Sequence, residues 1–347
     1  DFQNIDSAGE ISAGRGSVDE FAFNSIFARI NYDYNGKYLF KASIRKDGSS
    51  RFGDDNKYGT FRAVSAGWVI SKEDFLSSSS VVSFLKIRAS WGETGNAEIG
   101  NYASKDQWIG TSYKQVPGLY PVRKGNRKLG WEKSTQTDLG IDFGFLQNRI
   151  YGEIDYYNKK TGGLLADKNL PYTTGYSNMF GNEGDMKNTG FEIVLNTKNF
   201  KTQDFSWESS FNLANNNNKI TALSDNNADQ IVGNVIRRVG ERLDSFYLVE
   251  YAGVDPANGD ALFYKNTLNA DGSRDRSTTN DYSEAQRVIA GSSTPDWIAG
   301  FTNNIDYKNF DFSFTFQGEF GASIYNAGGI YQSANADWFD NQTVDQM

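Results

Sequence analysis

The chain has no cysteine and no histidine among its 347 residues. Without cysteine, disulfides and the usual cysteine-based structural zinc sites are excluded. Without histidine, the Ser-His-Asp triad and the commonest general base fall away as well. Such a chain is poor material for most enzymes, and no catalytic residue, cofactor or metal is expected. The lack of cysteine is compatible with passage through an oxidising periplasm. No hydrophobic run is long enough for a transmembrane helix. That leaves a β-barrel open, because half of every barrel strand is polar, and a mean hydropathy of -0.59 fits such a balance. No signal peptide opens the sequence, which starts at Asp1-Phe2-Gln3 without Met and ends at Gln346-Met347 without an aromatic strand. Both ends are expected to be cuts in a longer polypeptide, so missing targeting signals carry no weight.

What the chain does have is alternation. Phe310, Phe312, Phe314 and Phe316 interleave with Asp311, Ser313, Thr315 and Gln317. Just before them, Trp297, Ala299, Phe301, Ile305 and Tyr307 oppose Gly300, Thr302, Asn304, Asp306 and Lys308. Period two means a strand with one apolar and one wet face. Runs of about ten residues exceed the usual strand of a soluble sheet and match a tilted strand crossing a bilayer. The wet faces carry Asp, Glu, Lys and Arg freely, which a buried core does not. In a small soluble barrel the apolar face points inward; in an outer-membrane barrel it faces lipid and the wet face lines the lumen. Aromatics make up 15% of the chain, an excess that fits interfacial girdles or a carbohydrate-binding surface. The net charge of -8 makes nucleic acid an unexpected partner.

The fold class expected is therefore all-β, an antiparallel transmembrane β-barrel, here a partial one. Ala28, Ile30, Tyr32 and Tyr34 share one strand face, Asn35-Gly36 supplies a tight hairpin turn, and Tyr38, Phe40, Ala42 and Ile44 lie on the return strand. Further strands are expected around 61–70, 84–91, 135–145, 149–161, 191–196, 205–213, 297–307 and 310–320. Residues 93–130 and 162–188 read as long loops, and 215–295 as the least regular segment, with short strand candidates near Ile236 and over 246–251. Short turns alternating with long loops match the periplasmic and extracellular ends of an outer-membrane barrel. The fixed blade period of a propeller is not found.

Several segments go beyond pattern. They include Arg29-Ile-Asn-Tyr-Asp-Tyr-Asn-Gly-Lys-Tyr-Leu-Phe40, Arg45-Lys-Asp-Gly-Ser-Ser-Arg-Phe-Gly53 and Gly67-Trp-Val-Ile-Ser-Lys-Glu-Asp-Phe75. Leu85-Lys-Ile-Arg-Ala-Ser-Trp-Gly92, Trp131-Glu132, Asn182-Glu-Gly184, Asn188-Thr-Gly190 and Gly253-Val-Asp-Pro256 follow in order. Collinear over most of the chain, they resemble the C-terminal barrel portion of SusC/RagA-type TonB-dependent outer-membrane transporters of Bacteroidetes. Thr60-Phe-Arg-Ala63 departs from the family's usual Phe-Pro-Ser-like sequence. The resemblance implies a plugged barrel of roughly 22 strands, of which residues 1–347 supply roughly half of one barrel domain. The plug and the N-terminal segments would lie upstream. The resemblance also implies TonB-dependent import of a glycan, oligosaccharide or oligopeptide across the outer membrane. The implied partners are a SusD-like surface lipoprotein acting as lid, the TonB-ExbB-ExbD complex reached through the N-terminal part, and outer-membrane lipid. Two rivals are a soluble extracellular all-β carbohydrate-binding protein (a lectin or glycosidase), which requires the apolar strand faces to turn inward, and a structural surface-layer protein, which would lack a plug upstream.

Candidate ligand-binding residues are the aromatics of the first long loop, Tyr102, Trp108, Tyr113 and Tyr120. Flat rings stack on sugars and anchor protein interfaces, or else pack a loop onto itself. Asn269, Asp271, Ser273 and Asp275 alternate as calcium ligands can, near Asp255, Asn258 and Asp260. The twelfth loop position is Asn280 where a glutamate is required, so these read as solvated Asx-rich turns. Glu153 and Asp155 stand two apart on one wet face and read as lumen wall, not as a glycosidase pair.

Overall fold

In the computed structural model, which describes residues 18–114 and 116–329, the alternating segments are long strands. In chain order they are β1 (Phe23–Tyr34), β2 (Tyr38–Ser49), β3 (Tyr58–Val69), β4 (Val82–Asn96), β5 (Gln107–Tyr113), β6 (Val116–Lys124) and β7 (Glu132–Phe145). Then come β8 (Ile150–Gly162), β9 (Leu165–Asn169), β10 (Asn178–Asn182), β11 (Gly184–Lys201) and β12 (Phe205–Leu223). The next segment carries β13 (Gln230–Val232), β14 (Val235–Arg237), β15 (Ser245–Leu248), β16 (Tyr251–Val254), β17 (Ala261–Tyr264), β18 (Thr278–Thr279) and β19 (Val288–Gly291). Last are β20 (Trp297–Tyr307) and β21 (Phe310–Phe320). Ten of them follow the order β1-β2-β3-β4-β7-β8-β11-β12-β20-β21, with β1 and β21 at the two ends, so the sheet is not closed. The chain forms two compact units, Asp1–Phe143 with Tyr157–Lys187, and Gly144–Tyr156 with Asn188–Met347.

In the first unit, register locks the apolar faces together. Ile30 stands opposite Ala42 and Tyr32 opposite Phe40; Phe40 in turn faces Ala66, and Ala66 faces Ala89. A slip by one residue would exchange the faces, so the pattern itself fixes the pairing. Among the described residues these apolar side chains stay largely uncovered: Ile26 is 70% exposed and Ile30 69%. The β1–β2 turn has φ of 56° at Asn35 and 61° at Gly36, the left-handed pair of a type I′ turn, for which Asn-Gly is the favoured sequence. Asp33 adds a hydrogen bond, accepting from the Gly36 N–H at 2.6 Å.

At this turn end the rings of Tyr34, Tyr38 and Trp68 form a stack, with centroids 6.4 and 6.5 Å apart. Glu73, in the β3–β4 connection, accepts from Trp68 Nε1 at 3.0 Å, the Tyr38 hydroxyl at 2.7 Å and Lys37 Nζ at 3.1 Å. The Trp68, Tyr38 and Lys37 donors together hold its carboxyl down at about 2. Amphipathic rings gathered at one level, with polar tips satisfied, are what a membrane interface selects.

The second unit repeats the scheme. Phe205 pairs with Tyr307 and Phe211 with Phe301, while Ile305 faces Phe312 and Phe301 faces Phe316. A polar pair, Ser209 and Asn303, interrupts this face; Asn303 is 2% exposed, and its Oδ1 accepts from Trp207 Nε1 at 2.9 Å and Ser209 Oγ at 2.7 Å.

Several segments expected as loops contain strands. Residues 93–130 hold the β5–β6 hairpin, and 162–188 hold β9 and β10, which join it as a sheet of order β5-β6-β10-β9. Gly110, Pro117, Gly118 and Pro121 break the alternation of that hairpin in sequence, though not its backbone pairing. β12 reaches Leu223, beyond the expected end at 213, because Asn215–Asn218 are polar on both faces and show no period. The irregular segment contains two small sheets, β13-β14-β15-β19 and β16-β17-β18.

Candidate functional site

The wet face of the first unit is an ordered electrostatic surface. Lys86 and Arg88 on β4 converge on Asp142 of β7, at 2.9 and 2.7 Å. Asp138, four residues earlier on the same face of β7, accepts from Ser90 Oγ at 2.8 Å and Gln136 Nε2 at 2.6 Å. A cavity of about 190 Å³ opens here, lined by Leu39, Lys41, Lys86, Arg88 and Asp138 among others. Such hydrogen-bonded, charge-neutralised groups suit a hydrated wall past which polar solutes move.

At the loop end the long connections build a packed body. Phe52, Ile99, Ala103 and Leu129 form its core, with Trp131, Leu165 and Phe180 packed against them. Trp131 is the hub: its ring lies 4.7 Å from Phe52, 5.4 Å from Phe61 and 5.9 Å from Phe23, and its Nε1 donates to the Lys57 carbonyl. Gly53 is required where the loops touch, because a Cβ there would collide with the Arg127 carbonyl. Asn182 stitches the two long connections, donating to the carbonyls of Gly130 and Gly163 at 3.0 and 2.9 Å and accepting from the Gly130 N–H. Asp106 is held below the usual carboxylate range by the Gly125 N–H and then by Lys124. A cavity of about 470 Å³ lies at this rim, where Phe23, Phe61 and Trp131 meet Arg45, Arg51 and Glu93. Aromatic faces beside paired charges can hold a polar solute with apolar patches.

The four aromatics singled out by sequence do not share one platform. Tyr102 sits in a turn at φ 60°, and its hydroxyl accepts from the Glu20 N–H at 3.1 Å. Trp108 meets the ring of Tyr176 edge-on at 6.1 Å. Tyr120 pairs with Ile109 in the register, which puts it on the opposite face of the hairpin from Trp108. Tyr113 pairs with Val116 at the hairpin tip, and its side chain lies outside the described residues. The residues sequence reasoning missed are Trp131 as a packing hub and Arg51, which is tied to Asn101 Oδ1 at 3.0 Å and the Ala97 carbonyl at 3.1 Å. No sequence period marks either, since their partners are far away in the chain.

The Asx-rich turns are spent on local hydrogen bonds. Asp271 accepts from both Ser273 N–H and Oγ, and Asp275 from Ser277 in the same way. Among the described residues no group of His, Cys, Asp or Glu is arranged to hold a metal.

Long antiparallel strands, apolar on the uncovered face and charged on the other, define a piece of an outer-membrane β-barrel. The chain belongs to the TonB dependent receptor-like β-barrel family, whose pattern matches residues 1–247. It is similar to TonB-dependent receptor P3 of Formosa agariphila, 34% identical over 94% of this chain and 34% of that protein. It is also similar to TonB-dependent receptor SusC of Bacteroides thetaiotaomicron, 36% identical over 87% of this chain and 31% of that protein. Among solved structures the RagAB peptide transporter superposes with a TM-score of 0.86 at 30% identity, over 98% of this chain and 39% of that one. The chain thus spans about a third of the length of the relatives it matches. Its family consists of outer-membrane receptors and transporters, not of enzymes, and the uncovered apolar faces leave the soluble carbohydrate-binding reading without support.

Proposed function

We propose that the protein containing this chain imports a nutrient across the outer membrane, driven by TonB. The single observation that carries this reading is the two-faced wall. Its apolar side meets lipid, and its charged side, with Lys86, Arg88, Asp138 and Asp142 already paired, offers a wet passage. Residues 1–347 would be one part of a single barrel domain, with a plug supplied from elsewhere in the polypeptide. The substrate would be an oligosaccharide or an oligopeptide, captured at the loop end under a SusD-like lipoprotein lid. Similarity to the RagAB peptide transporter supports the oligopeptide, while the lid and the oligosaccharide follow from the family resemblance. Tyr102, Trp108, Tyr113 and Tyr120 would contribute separate contacts around the vestibule.

Extraction of the native protein from outer membranes in mild detergent, followed by mass spectrometry of what co-purifies, tests the reading. A stoichiometric surface lipoprotein together with plug-derived peptides is the expected result. Release by aqueous buffer alone, with no such partner, would refute it.

A further inference from the structure

Another cavity, of about 400 Å³, lies wholly in the second unit, in the segment between β12 and β20. It is lined by Arg238, Glu241, Glu250, Arg274 and Arg276 around Asn266, with Val288 and Ile289 as its apolar wall. Asn266 is fully buried and organises the site: its Oδ1 accepts from Arg276 Nη1 at 3.0 Å, its carbonyl from Arg274 Nη1 at 2.9 Å, and its Nδ2 donates to Glu250. The loop that had the spacing of a calcium site presents the two arginines, since Leu268 and Arg274 form a bridge across the Asn269–Ser273 turn.

Two of the three guanidiniums are neutralised. Arg276 grips Glu250 with two nitrogens, at 2.6 and 2.9 Å, and lies 3.7 Å over the ring of Tyr264. Arg238 grips Asp229 likewise, at 2.7 to 3.1 Å, and faces the ring of Tyr247. Arg274 differs. It is tethered only to the Asn266 carbonyl, and among the described residues no carboxylate pairs with it. Glu241 is half-buried, and its carboxylate likewise has no ion pair or hydrogen bond among the described residues. One cavity therefore holds a cation with spare donors and an anion with spare acceptors, while the tyrosine rings that could stack on a sugar are covered by arginine.

From this we infer that the cavity is a binding site for a small zwitterionic ligand, a short peptide with free ends. Its carboxylate is received by Arg274 as a charge-assisted, two-pronged pair, and its ammonium by Glu241. The assignment rests on the import reading above and narrows its substrate toward peptides.

The full-length protein, purified in detergent, is titrated calorimetrically with tetra-alanine, with its N-acetylated and C-amidated counterpart, and with maltotetraose. Wild type binds the free tetrapeptide best. Arg274→Gln and Glu241→Gln each weaken that binding about tenfold or more, the scale of one lost charged hydrogen bond, and leave the weak binding of the blocked peptide unchanged. Both substitutions are at accessible side chains, and an unchanged circular dichroism spectrum controls for folding. Equal affinity of both variants for tetra-alanine overturns the site, as does a wild type that prefers the blocked peptide or maltotetraose. Wild type that binds none of the probes overturns it too; the importer reading is then judged separately, by the membrane extraction.

Discussion

The wall of β1–β3 and the loop body around Trp131 belong to the same unit, yet they dispose of apolar side chains in opposite ways. In the wall, Ile26, Ile30 and Phe40 lie on a continuous face left exposed among the described residues. In the loop body, Phe52, Ala103 and Leu129 are fully buried, as in the interior of a small soluble domain. The solvent explains the difference. Lipid takes the place of a core for the strands, whereas the loops stand in water and must bury their own apolar area. Aromatics follow the same division: the Tyr34–Tyr38–Trp68 stack faces outward at the turn end, and Trp131 points inward at the loop end.

The comparison breaks most severely at Phe52. Phe52→Ala empties the centre of the loop core and should cost that body about 3–5 kcal/mol, the usual loss for a buried phenylalanine. Hydrogen exchange should show residues 97–131 losing protection while β1–β4 keep theirs; uniform loss across both would mean that wall and loops share one core. Next in size is Ile30→Lys. A lysine facing the middle of a bilayer costs about 2–4 kcal/mol, against near zero for Ser43→Lys on the wet face. Urea titration of the folded protein in lipid vesicles measures the difference, and equal effects would reverse the assignment of faces. The smallest effect is at Glu73. Its folded carboxyl is depressed from the ordinary 4.5 to about 2, so its stabilisation is complete above the unfolded value and is lost as pH falls through the folded one. Tryptophan fluorescence from the girdle of the folded protein should therefore change only as the pH nears about 2 in the parent protein, and not in Glu73→Gln.

The wall was readable in sequence because each strand has one face in lipid and one in water, and alternation records that directly. The turns at Asn35-Gly36 and Lys308-Asn309 fall where chain chemistry placed them, at the ends of β1 and β20. The β5–β6 hairpin was not readable, since it stands in water on both sides and its glycines and prolines read as loop. The end of β12 was hidden for a similar reason, its asparagines being polar on either face. Site legibility was poorer still. Asp142 meets Lys86 and Arg88 across 56 and 54 positions, and Asn266 gathers Glu250, Arg274 and Arg276 from three places. The alternation assigns such residues to a wet face without saying which of them meet.

The Asn182 stitch and the shared core make the two long connections of the first unit a matched pair. Grafted alone into a relative, either would arrive with half a hydrophobic interior and the two hydrogen bonds between Asn182 and Gly130 broken. Inherited together, they form a cassette that can be exchanged above an unaltered wall. Diversification of such vestibules is then expected to proceed by concerted replacement of both segments, with the strands beneath drifting independently.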